Sequence, residues 1–164
     1  MKLPIRLMQN KLHSTLIEHL KLAGASQPKE LTALYSDHKQ AVSQALVELQ
    51  NAGMVMHRKH STFPPTKVYE ITDFGWNATN VFNRLTAQDI TILQGKTYMS
   101  ILRSLPCNPK ELGEKFGVTI SDISHHLRLL KKEALVNYEK QGKKRLYFIT
   151  KRGQDLLAAN SILC

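Results

Sequence analysis

The tetrapeptide Pro28-Lys29-Glu30-Leu31 returns 81 residues later as Pro109-Lys110-Glu111-Leu112. At that offset the segments 28–55 and 109–136 align without a gap, and eight of 28 positions are identical. Beyond the tetrapeptide these are Ser43 with Ser124, Leu46 with Leu127, Leu49 with Leu130 and Val55 with Val136, mostly apolar positions. Further on, Val68-Tyr69-Glu70-Ile71-Thr72 answers Leu146-Tyr147-Phe148-Ile149-Thr150, with three fewer residues intervening in the second copy. A repeat of this length, roughly 80 residues, implies one folding unit made twice. In a chain of 164 residues it predicts two small domains, 1–85 and 86–164.

Within each copy the periodicity changes in a fixed order. Leu12, Leu16, Ile17 and Leu20 have helical spacing, as do Tyr98, Ile101, Leu102 and Leu105. Pro28 and Pro109 stand where a second helix can begin, and Glu30 and Glu111 lie in its first turn, where the helix dipole favours a carboxylate. Ser36-Asp37 and Gly117-Val118-Thr119 supply turn chemistry before a third helix; Asp37 with Gln40, and Thr119 with Asp122, have capping-box spacing. The third helices turn Val42, Leu46 and Leu49, and Ile123, Leu127 and Leu130, inward. Gly53 suits the end of one, while Ala134 is a poorer stop for the other. β-rich segments follow: 54–58 and 67–72 around Pro64-Pro65, then 135–140 and 145–150 around Gln141-Gly142-Lys143. The expected class is mainly α with small β (α+β).

Charge narrows the partner. The chain carries 23 Lys and Arg against 13 Asp and Glu, a net charge of +10. Up to Leu85 there are 10 basic and 6 acidic residues, +4; beyond it 13 and 7, +6. An excess spread over both halves favours a polyanion, and nucleic acid leads that class.

A short helix, a tight turn, a helix with a polar outer face and a β-hairpin make a helix-turn-helix with a wing. The stretch Val118-Thr119-Ile120-Ser121-Asp122-Ile123-Ser124-His125-His126-Leu127-Arg128-Leu129-Leu130, followed by Ala134-Leu135-Val136, resembles the winged-helix domains of ArsR-like and MarR-like regulators. The first copy resembles them more loosely. The resemblance implies two tandem winged helix-turn-helix domains whose third helices enter the major groove of double-stranded DNA and whose wings touch its backbone or minor groove. It further implies a cytoplasmic, nucleoid-associated transcription regulator, expected here to be a repressor. The paired cysteines that many ArsR-like metal sensors carry before the recognition helix are absent, so neither metal nor cofactor is expected. Regulators of this kind usually hold one winged helix per chain and dimerise, whereas this chain joins two.

Helix geometry selects the candidate DNA contacts. At 100° per residue, the side of the second recognition helix opposite its inward stripe holds Ser121, His125, Arg128 and Lys132, with Ser124 at its edge. The matching face of the first holds Gln40, Ser43, Gln44 and Val47, with Lys39 alongside. Arg128 suits bidentate contact with guanine, and a Gln suits adenine. In the second wing Lys140, Lys143, Lys144 and Arg145, with Lys151 and Arg152 beyond, form a phosphate-binding strip; His57, Arg58, Lys59, His60 and Lys67 occupy the matching place in the first.

Other readings of the residues are weaker. Cys107, between Pro106 and Asn108, lacks a neighbouring base to activate it, and the adjacent His125 and His126 diverge by about 100°, so neither enzyme nor metal chemistry is expected. The longest apolar runs fall far short of a membrane span, so no membrane partner is expected. Phe74, Ala78, Val81, Phe82 and Leu85 share one helical face near Trp76, which suits either an interdomain helix or a homodimer surface at 74–85. A plasmid or viral replication initiator, or a winged-helix protein-binding scaffold without DNA binding, stands as the alternative.

Overall fold

Pro28 and Pro109 each open a helix in the computed structural model of the chain, which describes residues 4–35, 39–60, 66–142 and 144–163. The elements up to residue 84 are α1 (Pro4–Met8), α2 (Lys11–Ala23), β1 (Ala25–Ser26), α3 (Pro28–Ala33), α4 (Lys39–Asn51), β2 (Val55–His60), β3 (Thr66–Ile71) and α5 (Asp73–Phe82). They continue as α6 (Ala87–Gln94), α7 (Lys96–Ser104), α8 (Pro109–Phe116), α9 (Ile120–Lys132), β4 (Val136–Gln141), β5 (Lys144–Ile149) and α10 (Lys151–Leu163). The chain divides into two compact units, Met1–Arg84 with Ile162–Cys164, and Leu85–Ser161. The expected turns at Ser36-Asp37 and Pro64-Pro65, and the wing cation Lys143, lie outside the described residues.

In the first unit the core joins Leu16, Ile17 and Leu20 of α2, Leu31 of α3, Val42, Leu46 and Leu49 of α4, and Met54 and Val55 at the hairpin. The expected α4 stripe is the one that is buried. On α2 the expectation fails at one place: His13 takes the inward position assigned to Leu12, and its Nε2–H donates to Glu48 at 2.9 Å. The Glu48 carboxylate on α4 satisfies that nitrogen, whereas Nδ1 of the same ring is buried without a hydrogen-bond partner and carries a desolvation cost. The sheet is antiparallel in the order β1-β3-β2, with β1 a short strand that periodicity alone cannot reveal. On α5 the buried residues are Gly75, Ala78 and Thr79, while Phe74 and Trp76 stand exposed, so the expected stripe through Phe74 is rotated.

The second unit repeats these details. Ile101 and Leu102 of α7, Leu112 of α8, Ile123, Leu127 and Leu130 of α9 and Leu135 form its core. Asn108 and Glu111 close a capping box at α8, with Glu111 N–H donating to Asn108 Oδ1 at 3.0 Å and Asn108 N–H to Glu111 Oε2 at 3.1 Å. Where Ser26 pairs with Tyr69 in the first unit, Cys107 makes a lone bridge with Tyr147 in the second. Thr72 Oγ1 donates to Met54 O at 3.1 Å, and Thr150 Oγ1 to Leu135 O at 3.1 Å. Each threonine also caps the following helix, accepting from Gly75 N–H at 2.9 Å and from Gly153 N–H at 3.1 Å. Between helix and hairpin, Gly53 has φ +73° and Ala134 φ +56°; the alanine adopts a left-handed conformation that costs a residue with a Cβ. That is why Ala134 stops α9 although its sequence is a poor stop.

Candidate nucleic-acid interface

α9 begins where Thr119 Oγ1 accepts from Asp122 N–H at 3.2 Å and ends with Lys131 and Lys132 in the last turn, where cations suit the helix dipole. With Ile123, Leu127 and Leu130 anchored inward, Ser121, His125, Arg128 and Lys132 are exposed and Ser124 is half-buried. His126 turns aside: its Nδ1–H donates to Asp122 O at 2.7 Å and its ring lies 5.0 Å from Tyr98. The rings of His125 and His126 stand edge to face, and among the described residues no cluster of three metal-ligating side chains occurs.

The wing lies along one flank of α9, and between them runs a groove of about 780 Å³ floored at one end by the start of α8. Ser124 and Arg128 of α9 line it together with Lys144 and Arg145 of the wing. Ser121, His125 and Lys132 belong to the outer crest instead and do not line it. The groove is also lined by Lys110, Ile120, Lys131, Tyr138 and Tyr147, which helix periodicity and wing charge alone do not single out. Lys131 Nζ sits 4.1 Å from the Tyr138 ring centroid and the Arg145 guanidinium 4.8 Å from it, while the Tyr147 ring lies tilted beside it at 5.3 Å. Each such cation–ring contact is worth about 0.5–2 kcal/mol. Among the described residues no acid pairs with Arg128, Lys132, Lys144 or Arg145; the groove's own acids are engaged, Glu111 in the α8 cap and Glu114 with Lys110 at 3.7 Å.

In the first unit Lys39, Gln40, Ser43 and Gln44 are all exposed on α4. Ser43 Oγ donates to Lys39 O at 3.1 Å, and Gln44 Nε2 to Glu48 Oε1 at 3.4 Å. On the hairpin Lys59 stands directly opposite Lys67, and in the second unit Lys140 stands opposite Arg145. On the same face of each hairpin, two residues further toward the core, His57 pairs with Tyr69 and Tyr138 with Tyr147, so the two wings share a cation pair above a ring pair.

Three expected phosphate contacts are already occupied. Arg58 is ion-paired with Glu70 across the strands. Arg152 Nη2 donates to the buried carboxylate of Asp89 at 3.0 Å, and Lys151 pairs with Asp155 at 2.7 Å. The wing strip therefore ends at Arg145. Cys107 is half-buried and its thiol donates to Ser104 O at 2.8 Å. Among the described residues no helix is long and apolar enough to cross a membrane.

Residues 99–138 match the family model of the bacterial regulatory protein, arsR family. Among solved structures, a mutant of MepR from S. aureus bound to an oligodeoxyribonucleotide is 15% identical with a TM-score of 0.36; the match spans 54% of this chain and 66% of that one. A mutant of MarR from E. coli is 17% identical with a TM-score of 0.43, over 79% of this chain and 83% of that one. The family match runs from α7 through α8 and α9 into β4; Lys144, Arg145 and Tyr147, on the wing side of the groove, lie beyond it. Residues 99–138 are thus similar to the arsR family of bacterial regulatory proteins, and they lie in a chain whose fold is mainly α with small antiparallel β-hairpins.

Proposed function

We propose that the chain is a sequence-specific transcription regulator, acting as a repressor, that binds double-stranded DNA through two tandem winged helices, 1–85 and 86–164. It works in the cytoplasm at the nucleoid. The observation that carries this reading is the set of cations without acid partners around α9: Arg128 on the helix, with Lys144 and Arg145 facing it from the wing. Cations left unneutralised in a protein that has 13 acids to offer are suited to phosphates supplied from outside. Arg128, with Ser121, Ser124 and His125, reads base edges; the wing cations hold the backbone. Lys39, Gln40, Ser43 and Gln44 play the corresponding part in the first unit, with Lys59 on its wing. The exposed Phe74 and Trp76 of α5 support self-association through 74–85.

Selection from a random duplex library at near-physiological salt tests this. The expected result is a site with two unlike halves, because the two recognition faces differ. Arg128→Ala then lowers affinity for the selected site by about tenfold or more while barely affecting scrambled DNA. Lys144→Ala with Arg145→Ala weakens binding to every sequence and flattens the plot of log affinity against log salt by about two. No duplex binding in dilute buffer, or equal loss on all sequences for Arg128→Ala, overturns the respective claim.

A further inference from the structure

Two aliphatic side chains on the recognition helices stay half open to solvent. Ile120 and Val47 are each 52% exposed. Ile120 occupies the first position of α9, where acidic residues and proline are the usual helix-starting choices. It leans against the Gly113 side of α8, yet half its surface remains open and borders the groove beside Ser124 and Arg128. Val47 lies in the middle of α4, where a β-branched residue is a poorer helix former than alanine and packs into no core. The other large exposed aliphatics, such as Leu22 and Leu34, lie on neither of these helices.

At the repeat offset of 81, Ile120 answers Lys39, and Val47 answers Arg128. At these paired positions each recognition helix thus carries one cation and one aliphatic group, and the order is exchanged between the two units. Among exposed side chains that mostly form hydrogen bonds, the apolar member has one counterpart in the major groove, the 5-methyl group of thymine. We propose that Ile120 and Val47 are specificity-determining residues that each pack on a thymine methyl. Thymine then falls at opposite ends of the two half-sites relative to the base read by the cation. This inference rests on the DNA-binding function proposed above.

Thymine-to-deoxyuridine replacement, one position at a time in the selected duplex, removes only the methyl group and keeps every hydrogen-bonding edge. One thymine in each half should show about a fourfold loss of affinity, the worth of one buried methyl. Ile120→Ala should abolish that sensitivity in the half read by α9 alone, and Val47→Ala in the half read by α4 alone. Both variants should bind the doubly uracil-substituted duplex within about twofold of the parent, which also shows that they fold. Equal binding of thymine and uracil duplexes by the parent overturns the inference while leaving DNA binding intact; so does full methyl sensitivity retained by both variants. Failure to bind any duplex removes the DNA-binding function, and this inference falls with it.

Discussion

Gly153 sits in the first turn of α10 against the start of the wing, and an alanine there tests whether that close approach fixes the hairpin. A Cβ on Gly153 would lie 2.3 Å from Leu135 O and 2.6 Å from Ile149 Cγ1. The carbonyl cannot step aside cheaply, because it accepts from Thr150 N–H at 3.0 Å and from Thr150 Oγ1 at 3.1 Å. Relief requires the helix start to withdraw by about 1 Å, the shortfall from ordinary contact distance. Overpacking of this kind costs about 1–3 kcal/mol, and weakening two hydrogen bonds adds about 1 kcal/mol each. Replacing glycine by alanine within a helix returns about 1 kcal/mol of propensity. Gly153→Ala should therefore lose about 2–4 kcal/mol net. Urea unfolding followed by far-UV circular dichroism measures this from the shift in midpoint at unchanged slope. Gly117→Ala is the control: with φ +65° and nothing within 4 Å of the new Cβ, it should cost only the conformational penalty of about 1 kcal/mol. If Gly153→Ala is as stable as the control, or more stable than the parent, helix propensity outweighs the clash and the reasoning is wrong.

Two further outcomes can be checked by the same method. Ala134→Gly should stabilise the protein by about 0.5–1 kcal/mol, since relief of a left-handed alanine exceeds the added entropy of the unfolded glycine; a lower urea midpoint would contradict this. For Asp89, burial raises the carboxyl's pKa, but hydrogen bonds from Thr86 N–H and Oγ1–H and the Arg152 guanidinium outweigh it and hold it below the ordinary value. Its stabilisation is then complete above the unfolded pKa and is lost as pH falls below about 4. Plotted against pH, the urea midpoint of the parent should drop more steeply there than that of Asp89→Asn, and parallel curves would refute the assignment.

Which parts of this architecture can be read from the sequence follows from the range of the interactions involved. The inward stripe of Ile123, Leu127 and Leu130, and the Thr119 start of α9, depend on neighbours within a few turns, so periodicity finds them. The flank on which the wing lies does not: Lys131, Ile120 and Tyr138 meet in the groove only because the hairpin folds back along one side of α9. Ring stacking by Lys131 three residues after Arg128 is invisible until that side is known. The helix after the second hairpin leaves a local trace in the sequence. Thr72-Asp73-Phe74-Gly75 and Thr150-Lys151-Arg152-Gly153 share the threonine cap and the close-packed glycine at the offset of the preceding strand match. Those residues mark the start of α10 and put Arg152 in its first turn, but nothing local shows that Asp89 holds it. The fate of Arg58 was hidden for a similar reason: Glu70 comes within its reach only through the strand register.

Lysine facing lysine on one hairpin, and lysine facing arginine on the other, have an energetic consequence of their own. Directly opposed like charges push the strands apart near their tips, each pair working against closure by a fraction of a kcal/mol, about 0.2–1. An anion lodged between the opposed heads reverses the sign of that contribution. The opposed pairs should therefore hold together better with an anion between them than without one, so that strand pairing there and capture of the anion become a single linked equilibrium. Added electrolyte acts on this equilibrium in two directions, quieting the repulsion in the free chain while competing for the same attraction in the complex.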